Sequence, residues 1–308
     1  MKPGEDFFRE EELCGHIVST EMKKLWAVQI GCLEELKKIC QKHGIRYFVS
    51  GGTLLGAVRH KGYIPWDDDL DVVMMKDDYD RFCAIAPHEL PSSFYFQNYK
   101  TTEGFGPGMS RIRNSNTTSC TKYEYDMVCE GYNCGVFIDI FPMFGVERSM
   151  LRRIWQGLRI LMGKINIASY EKHRKAVLTR NKRGLLHPVV LYWMVAKCFT
   201  NHKKISECFL NACSMAKNYD KVGLLSFSGF DKRWIWQKEW YDGVTMLPFE
   251  YTKVVAPSSY DKILKQQFGD YHKFVKGSAV HTMEVMDPEV PYRKKLEKMI
   301  QQRMGKQF

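Results

Sequence analysis

Four aspartates stand within five positions, Asp67, Asp68, Asp69 and Asp71, and an apolar run, Val72-Val73-Met74, follows them directly. A strand turns alternate side chains to opposite faces. Leu70-Asp71-Val72-Val73-Met74 reads as a strand, and its alternation carried back through the acidic run sets Asp67, Asp69 and Asp71 on one side and Asp68 on the other. Carboxylates crowded along an apolar element repel each other and are poorly solvated. A hard cation with oxygen ligands removes that conflict, and Mg²⁺ carrying substrate phosphates is the usual one. Upstream, Tyr47-Phe48-Val49 reads as a short buried strand and runs into Gly51 and Gly52. Paired glycines let the chain turn sharply and let a ligand come close to the backbone. Thr53 to Val58 then has helix-forming composition, so the glycines precede a helix N-terminus suited to phosphate. Gly51, Gly52 and Thr53 are therefore candidate hydrogen-bond donors to a phosphate, with Arg59 and His60 as further contacts at the far end of that helix.

A second acidic position stands alone. Asp139 lies in Gly135-Val136-Phe137-Ile138-Asp139-Ile140-Phe141-Pro142, an otherwise apolar strand. Such a carboxylate is costly to bury unless it meets a cation or strong donors. Arg111 and Arg113 alternate with apolar neighbours, so both can point to one strand face, where a guanidinium suits phosphate oxygens.

The run GGTLLGAVRHKGYIPWDDDLD (residues 51–71) resembles the signature of the LicD family, phosphocholine and phospho-alditol or phospho-sugar transferases that include fukutin and fukutin-related protein. The stretch Ile138-Asp139-Ile140-Phe141-Pro142-Met143 resembles the family's second block. Pro257 to Tyr271 resembles its C-terminal block, with Phe268 where tyrosine is usual. The resemblance implies a nucleotidyltransferase-like, polymerase β-like α/β (α+β) core with a mixed sheet. It implies Asp69 and Asp71 as ligands of Mg²⁺ or Mn²⁺, with Asp139 as the third carboxylate, assisting the metal or taking the proton of the attacking hydroxyl. It further implies a CDP-activated donor and an acceptor that is a cell-surface glycan or its lipid-linked precursor. Two rivals use the same residues differently: a nucleotidyltransferase moving NMP from an NTP, and a non-catalytic, membrane-associated binding module.

The elements that must position these groups are legible in outline. Leu25, Val28, Cys32, Leu36 and Ile39 predict a helix over 17–43, stopped by Gly44. Asp77 and Asp78 suit the first turn of another helix, which Pro87 is expected to end. Strands are expected at Phe94–Phe96, Met109–Arg113, Thr117–Tyr123 and Gly135–Phe141. Three parts are expected: a catalytic core over 1–147, a basic helical insertion over 148–221, and a C-terminal part over 222–308 that completes the core.

The chain of 308 residues carries a net charge of +11, unevenly placed. Between Arg148 and Lys204, fourteen Lys and Arg face one acid, Glu171, so this segment holds more positive charge than the whole chain's net and the remainder is slightly acidic. A helix there, with Leu151, Ile154, Trp155, Leu158, Leu161, Met162, Ile165 and Ile167 at helical spacing, fits either a core helix with a solvated basic face or an amphipathic helix on an anionic membrane. Further basic residues follow at Lys172, Arg174, Lys175, Arg180, Lys182 and Arg183. No nucleic-acid module accompanies them, so nucleic acid is not an expected partner. The acidic start lacks the basic and apolar regions of a signal peptide. Leu185 to Ala196, the most apolar stretch, is too short to span a bilayer. A cytoplasmic protein is expected, free or peripheral at the inner face of the membrane. The ten cysteines show no zinc-site spacing and are expected as buried, reduced thiols, Cys129 and Cys134 included. Trp234, Trp236, Trp240 and Tyr241 form an aromatic cluster, read as core or as a cage for a quaternary ammonium group.

Overall fold

The computed structural model describes residues 3–121, 124, 131–178, 186–275 and 283–304. Arg180, Lys182, Arg183, Cys129, Leu185 and the end of the strand expected at Thr117–Tyr123 lie outside the described residues.

A small hairpin, β1 (Glu11–Leu13) with β2 (His16–Val18), leads into helix α1 (Thr20–His43). Ser19 caps α1 by accepting from the Met22 N–H at 3.2 Å. Gly44 ends it in the left-handed region at φ 59°, a conformation that glycine adopts without steric cost. Strand β3 (Phe48–Val49), helix α2 (Gly51–Arg59), strand β4 (Asp71–Met75) and helix α3 (Lys76–Glu89) follow. Helix α3 runs past Pro87 to Glu89, because a proline in the last turn removes only one hydrogen bond. Next come β5 (Phe94–Gln97), β6 (Ser110–Asn114), β7 (Thr118–Thr121) and the long β8 (Val136–Gly145), whose ten residues are all buried. Helices α4 (Met150–Leu178), α5 (Pro188–Ala196) and α6 (His202–Cys213) precede β9 (Lys221–Gly223) and β10 (Ile235–Gln237). The chain closes with the hairpin β11 (Val244–Phe249) and β12 (Thr252–Pro257), helix α7 (Tyr260–Phe268), strand β13 (Met283–Asp287) and helix α8 (Tyr292–Met304).

Two compact units result. The first comprises Met1–Phe96, Arg111–Phe141 and Trp240–Phe308. Its sheet runs β3–β4–β8–β6–β5, with Phe48 opposite Val73 and Val49 opposite Val72. Helix α1 packs its apolar stripe, Leu25, Trp26, Ile30, Leu33 and Leu36, into the core, each at most 1% exposed. Strand β13 pairs antiparallel with β7. The architecture is mixed α/β.

The second unit comprises Gln97–Ser110 and Pro142–Glu239. Phe144 and Gly145 of β8 pair with Gly223 and Val222 of β9, and β9 pairs with β10. Phe144, Ile160, Phe209 and Leu225 make one core cluster, and Tyr170, Trp193 and Ile205 a smaller one. No helix among the described residues is long and apolar enough to cross a membrane.

The expectation of reduced thiols is corrected at one pair. Cys120 and Cys134 form a disulfide with Cα atoms 5.3 Å apart. The Ser119 N–H donates to the Cys134 carbonyl at 2.7 Å, a pairing that brings together residues whose spacing in sequence gives no sign of it. Cys14, Cys198 and Cys208 are exposed rather than buried. Of the aromatic cluster, Trp236 and Tyr241 are buried, at 0% and 2% exposure, and take core positions.

Candidate active site

The acidic segment is not a strand: it follows a turn closed by the Asp67 N–H on the Ile64 carbonyl at 2.8 Å. Strand β4 begins only at Asp71, so residues 67–70 precede it and alternation does not govern their side chains. Asp68 accordingly is not turned away: one carboxylate oxygen from each of Asp67, Asp68 and Asp69 lies within 4.8 Å of the other two. Three hard oxygen donors so close fit a divalent cation of the Mg²⁺ or Mn²⁺ kind. Asp71 is the first strand residue and points beside the glycine turn.

Neighbouring elements fix this segment through its main chain. From α1, Trp26 Nε1 donates to the Asp67 carbonyl at 2.9 Å and Gln29 Nε2 to the Asp68 carbonyl at 2.8 Å. Both side chains are buried, and Trp26 also stacks on Tyr63 at 4.6 Å. The Asp71 N–H donates to Thr53 Oγ1 at 2.8 Å, and the Ser50 N–H to the Asp71 carbonyl at 3.1 Å. From β8, the Asp139 N–H donates to the Leu70 carbonyl at 3.0 Å, which sets Asp139 beside the residue between Asp69 and Asp71. The Glu250 carboxylate, at the tip of the β11–β12 hairpin, accepts from the Tyr63 N–H at 2.9 Å and steadies the approach to the turn. Replacing Gln29 with leucine keeps the volume and strips the Asp68 carbonyl of a buried donor. About 1–3 kcal/mol of stability should be lost, read by urea denaturation, together with activity.

The glycines are needed where they stand. Gly51 has φ +56°, and a Cβ there would sit 3.2 Å from Asp71 Oδ2; at Gly52 it would sit 2.5 Å from Asp67 Oδ2. The start of α2 thus faces two carboxylates across a gap that any side chain would fill. Thr53 is buried, and its hydroxyl accepts from the backbone of Asp71, which gives it a positioning task.

Arginines and a further carboxylate form a buried network behind Asp139. Arg111 Nε donates to Asp139 Oδ1 at 2.6 Å, and its Nη1 to Glu124. Arg113 donates to Glu124 and, at 2.8 Å, to the Gly135 carbonyl. Both guanidiniums lie on the Phe137 ring, 3.8 and 4.6 Å from its centroid. Burial would lower the Arg111 pKa, but Asp139 and Glu124 outweigh it and the net direction is up. Arg113 goes the other way, depressed by burial and by Arg111 against the pull of Glu124. For Glu124 burial raises the pKa, yet Arg113 and Arg111 hold it below its ordinary value. Arg113 has 0% exposure, so its guanidinium is enclosed by these partners. Glu124 was not legible in the sequence, since its meaning appears only once the two arginines of β6 converge on it.

Arg59 and His60 have partners of their own. Arg59 donates to His60 Nε2 at 3.0 Å and to the Tyr271 carbonyl at 3.3 Å, and lies over the Phe274 ring. Burial, then Arg59, lowers the His60 pKa. These contacts tie α2 to the C-terminal block, where Tyr271 also donates to Asp261 at 2.8 Å.

The Asp67 carboxyl is pushed up to about 8, first by burial and then by Asp69, with Asp68 adding to it. Its ordinary value is 3.8, so without a cation the folded chain binds this proton more tightly than the unfolded chain. That stabilising proton is lost as pH rises towards 8. A divalent cation held by these carboxylates would take its place. The rise in Tm on adding Mg²⁺ should therefore be larger at pH 8 than at pH 5 in differential scanning fluorimetry. Equal rises would contradict the charge balance described.

The family model LicD/FKTN/FKRP, nucleotidyltransferase domain, matches residues 44–162, which hold the glycine turn, the aspartates and β8. Over that span the chain is similar to the LicD/FKTN/FKRP family. It is 28% identical over 261 residues to the lipopolysaccharide cholinephosphotransferase LicD of Haemophilus influenzae, covering 80% of this chain and 89% of that protein. An uncharacterized protein of Rickettsia typhi is 43% identical over 68 residues, 22% of this chain and 21% of that protein. The ribitol 5-phosphate transferase FKRP of Homo sapiens is 39% identical over 54 residues, 15% of this chain and 11% of that protein.

Proposed function

We propose that the chain transfers phosphocholine, or a related phospho-alditol or phospho-sugar, from a CDP-linked donor to a hydroxyl of a cell-surface glycan or its lipid-linked precursor. The observation that carries this reading is the clustered carboxylates of Asp67, Asp68 and Asp69, with Gly52 against Asp67 and Gly51 against Asp71, in a chain similar along most of its length to a lipopolysaccharide cholinephosphotransferase. Asp69 and Asp71, with Asp67 and Asp68 from the same segment, are the residues that would hold Mg²⁺ or Mn²⁺. A bound divalent cation there neutralises donor phosphates and the charge that develops on the leaving nucleotide.

The remaining roles belong to the chain. The glycine turn lets donor phosphate come close to backbone N–H groups at the start of α2. The acceptor oxygen forms a new bond to the transferred phosphorus, the bond from that phosphorus to CMP breaks, and the acceptor proton leaves to a base. Asp139 already accepts from Arg111, and a carboxylate so paired is better suited to sharing a cation than to taking up a proton. Arg111 orients Asp139, and Glu124 holds both arginines in place. The part of Arg113 is to support that assembly from inside the core.

A second reading is kept alive by the name of the matched domain: transfer of NMP from an NTP. Product analysis separates the two. Release of CMP from CDP-choline or CDP-ribitol, dependent on Mg²⁺ and on a glycan acceptor, is the expected result. Pyrophosphate release from CTP or ATP, with CDP-linked donors inert, would replace the first reading with the second.

A further inference from the structure

Helix α4 buries one side and leaves an apolar one open. Gln156, Ile160, Gly163 and Tyr170 face inward, whereas Leu151, Ile154, Leu158, Leu161, Met162 and Ile165 are between 41 and 79% exposed. At 3.6 residues per turn these six fall on one arc roughly 100° wide. A water-facing helix surface would be polar there. Basic side chains border the arc on both sides, Arg152 and Arg159 along one edge and Arg153 and Lys164 along the other. Arg153 donates to the main-chain carbonyls of Glu147 and Arg148, Arg159 to the Met215 sulfur and Lys164 to the Phe227 carbonyl. Those partners leave the positive charge uncompensated, and among the described residues no ion pair involves any of the four. Beside the arc, an apolar cleft is lined by Trp155, Leu158, Met162 and Cys208, with Arg159 among its walls. The packed neighbour α5 adds exposed Leu191, Tyr192 and Val195.

We infer that this face of α4 and α5 seats the second unit on an anionic lipid bilayer, with the helix lying in the interface. An apolar stripe edged by Lys and Arg is what such a surface selects: acyl chains take the leucines and lipid phosphates take the guanidiniums. A second copy of the chain fits worse, because stripe-to-stripe packing would set the arginine edges of two helices against each other. The inference stands apart from the transferase reading and needs no activity to be tested.

Flotation of the full chain with vesicles of phosphatidylcholine, alone or mixed with phosphatidylglycerol, provides the test. The chain should float with the mixed vesicles and stay behind with the neutral ones, and salt should release it. Leu158→Ser with Leu161→Ser should lower partitioning on the order of tenfold or more, and Arg153→Gln with Arg159→Gln by roughly 30-fold. Circular dichroism and Tm should match the parent because these side chains are exposed; the single change Leu161→Ser serves if the double variant fails to fold. Equal partitioning to both vesicle types, no partitioning, or unchanged partitioning of the variants would overturn the inference. So would light scattering that shows a dimer broken by the leucine changes.

Discussion

Asp69→Ala should lower kcat by about 10³-fold or more while the chain stays folded. The magnitude follows from the several kcal/mol of charge stabilisation that a divalent ion contributes to phosphoryl transfer, at about 1.4 kcal/mol per factor of ten. Asp69 is the residue to test first because it is common to the acidic segment and to the ligand pair that the family resemblance implies. Loss of its carboxylate also removes the neighbour that most raises the Asp67 proton affinity after burial. The variant should therefore show a Tm in EDTA no lower than the parent's, and little further rise with Mg²⁺. Asp71→Ala should be similarly inactive. Its backbone N–H still reaches Thr53, so the segment should keep its shape. Parent-like rates in either purified variant would refute the assignment.

The largest stability effect is expected away from the aspartates, at Arg113→Met. The substitution leaves Glu124 buried with Arg111 as its remaining arginine partner, and breaking a buried pair by deleting one member costs about 3–5 kcal/mol. A fall in Tm of roughly 10 °C would follow for a chain of this size. Pairing the change with Glu124→Leu removes the stranded charge and should recover much of the loss, since well-packed apolar replacements of buried ion pairs are often close to neutral. The double variant should still lose activity, because Arg111 and Asp139 depend on Glu124 for their arrangement. Calorimetry and kcat on the four members of this cycle separate the two effects. A Tm unchanged in Arg113→Met would mean that the network contributes little to the fold.

What was legible in the sequence was mostly local. The period of Leu25, Leu36 and Ile39 and the stop at Gly44 mark α1, and the glycine pair marks the start of α2 almost to the residue. The acidic cluster announced itself by composition alone. Its geometry did not, because alternation applies only inside a strand and the strand starts at Asp71. The task of α1 was also hidden: Trp26 and Gln29 look like ordinary stripe residues until their donors are seen reaching the carbonyls of Asp67 and Asp68. Long-range pairing was the least visible. Nothing near Glu124 announces Arg111 and Arg113 as its partners, and nothing near Cys120 announces Cys134. The open side of α4 shows a different limit, since an apolar helical period gives the stripe but not which side of it the fold will cover.

Crystals grown with Mn²⁺ and CDP, with data collected at a wavelength that gives an anomalous signal from manganese, test the central claim most directly. A peak bounded by the carboxylates of Asp67, Asp68 and Asp69, in contact with the diphosphate of the nucleotide, is the predicted result. Manganese found only at other positions, or nucleotide bound away from Gly51 and Gly52 with the acidic segment empty, would contradict it.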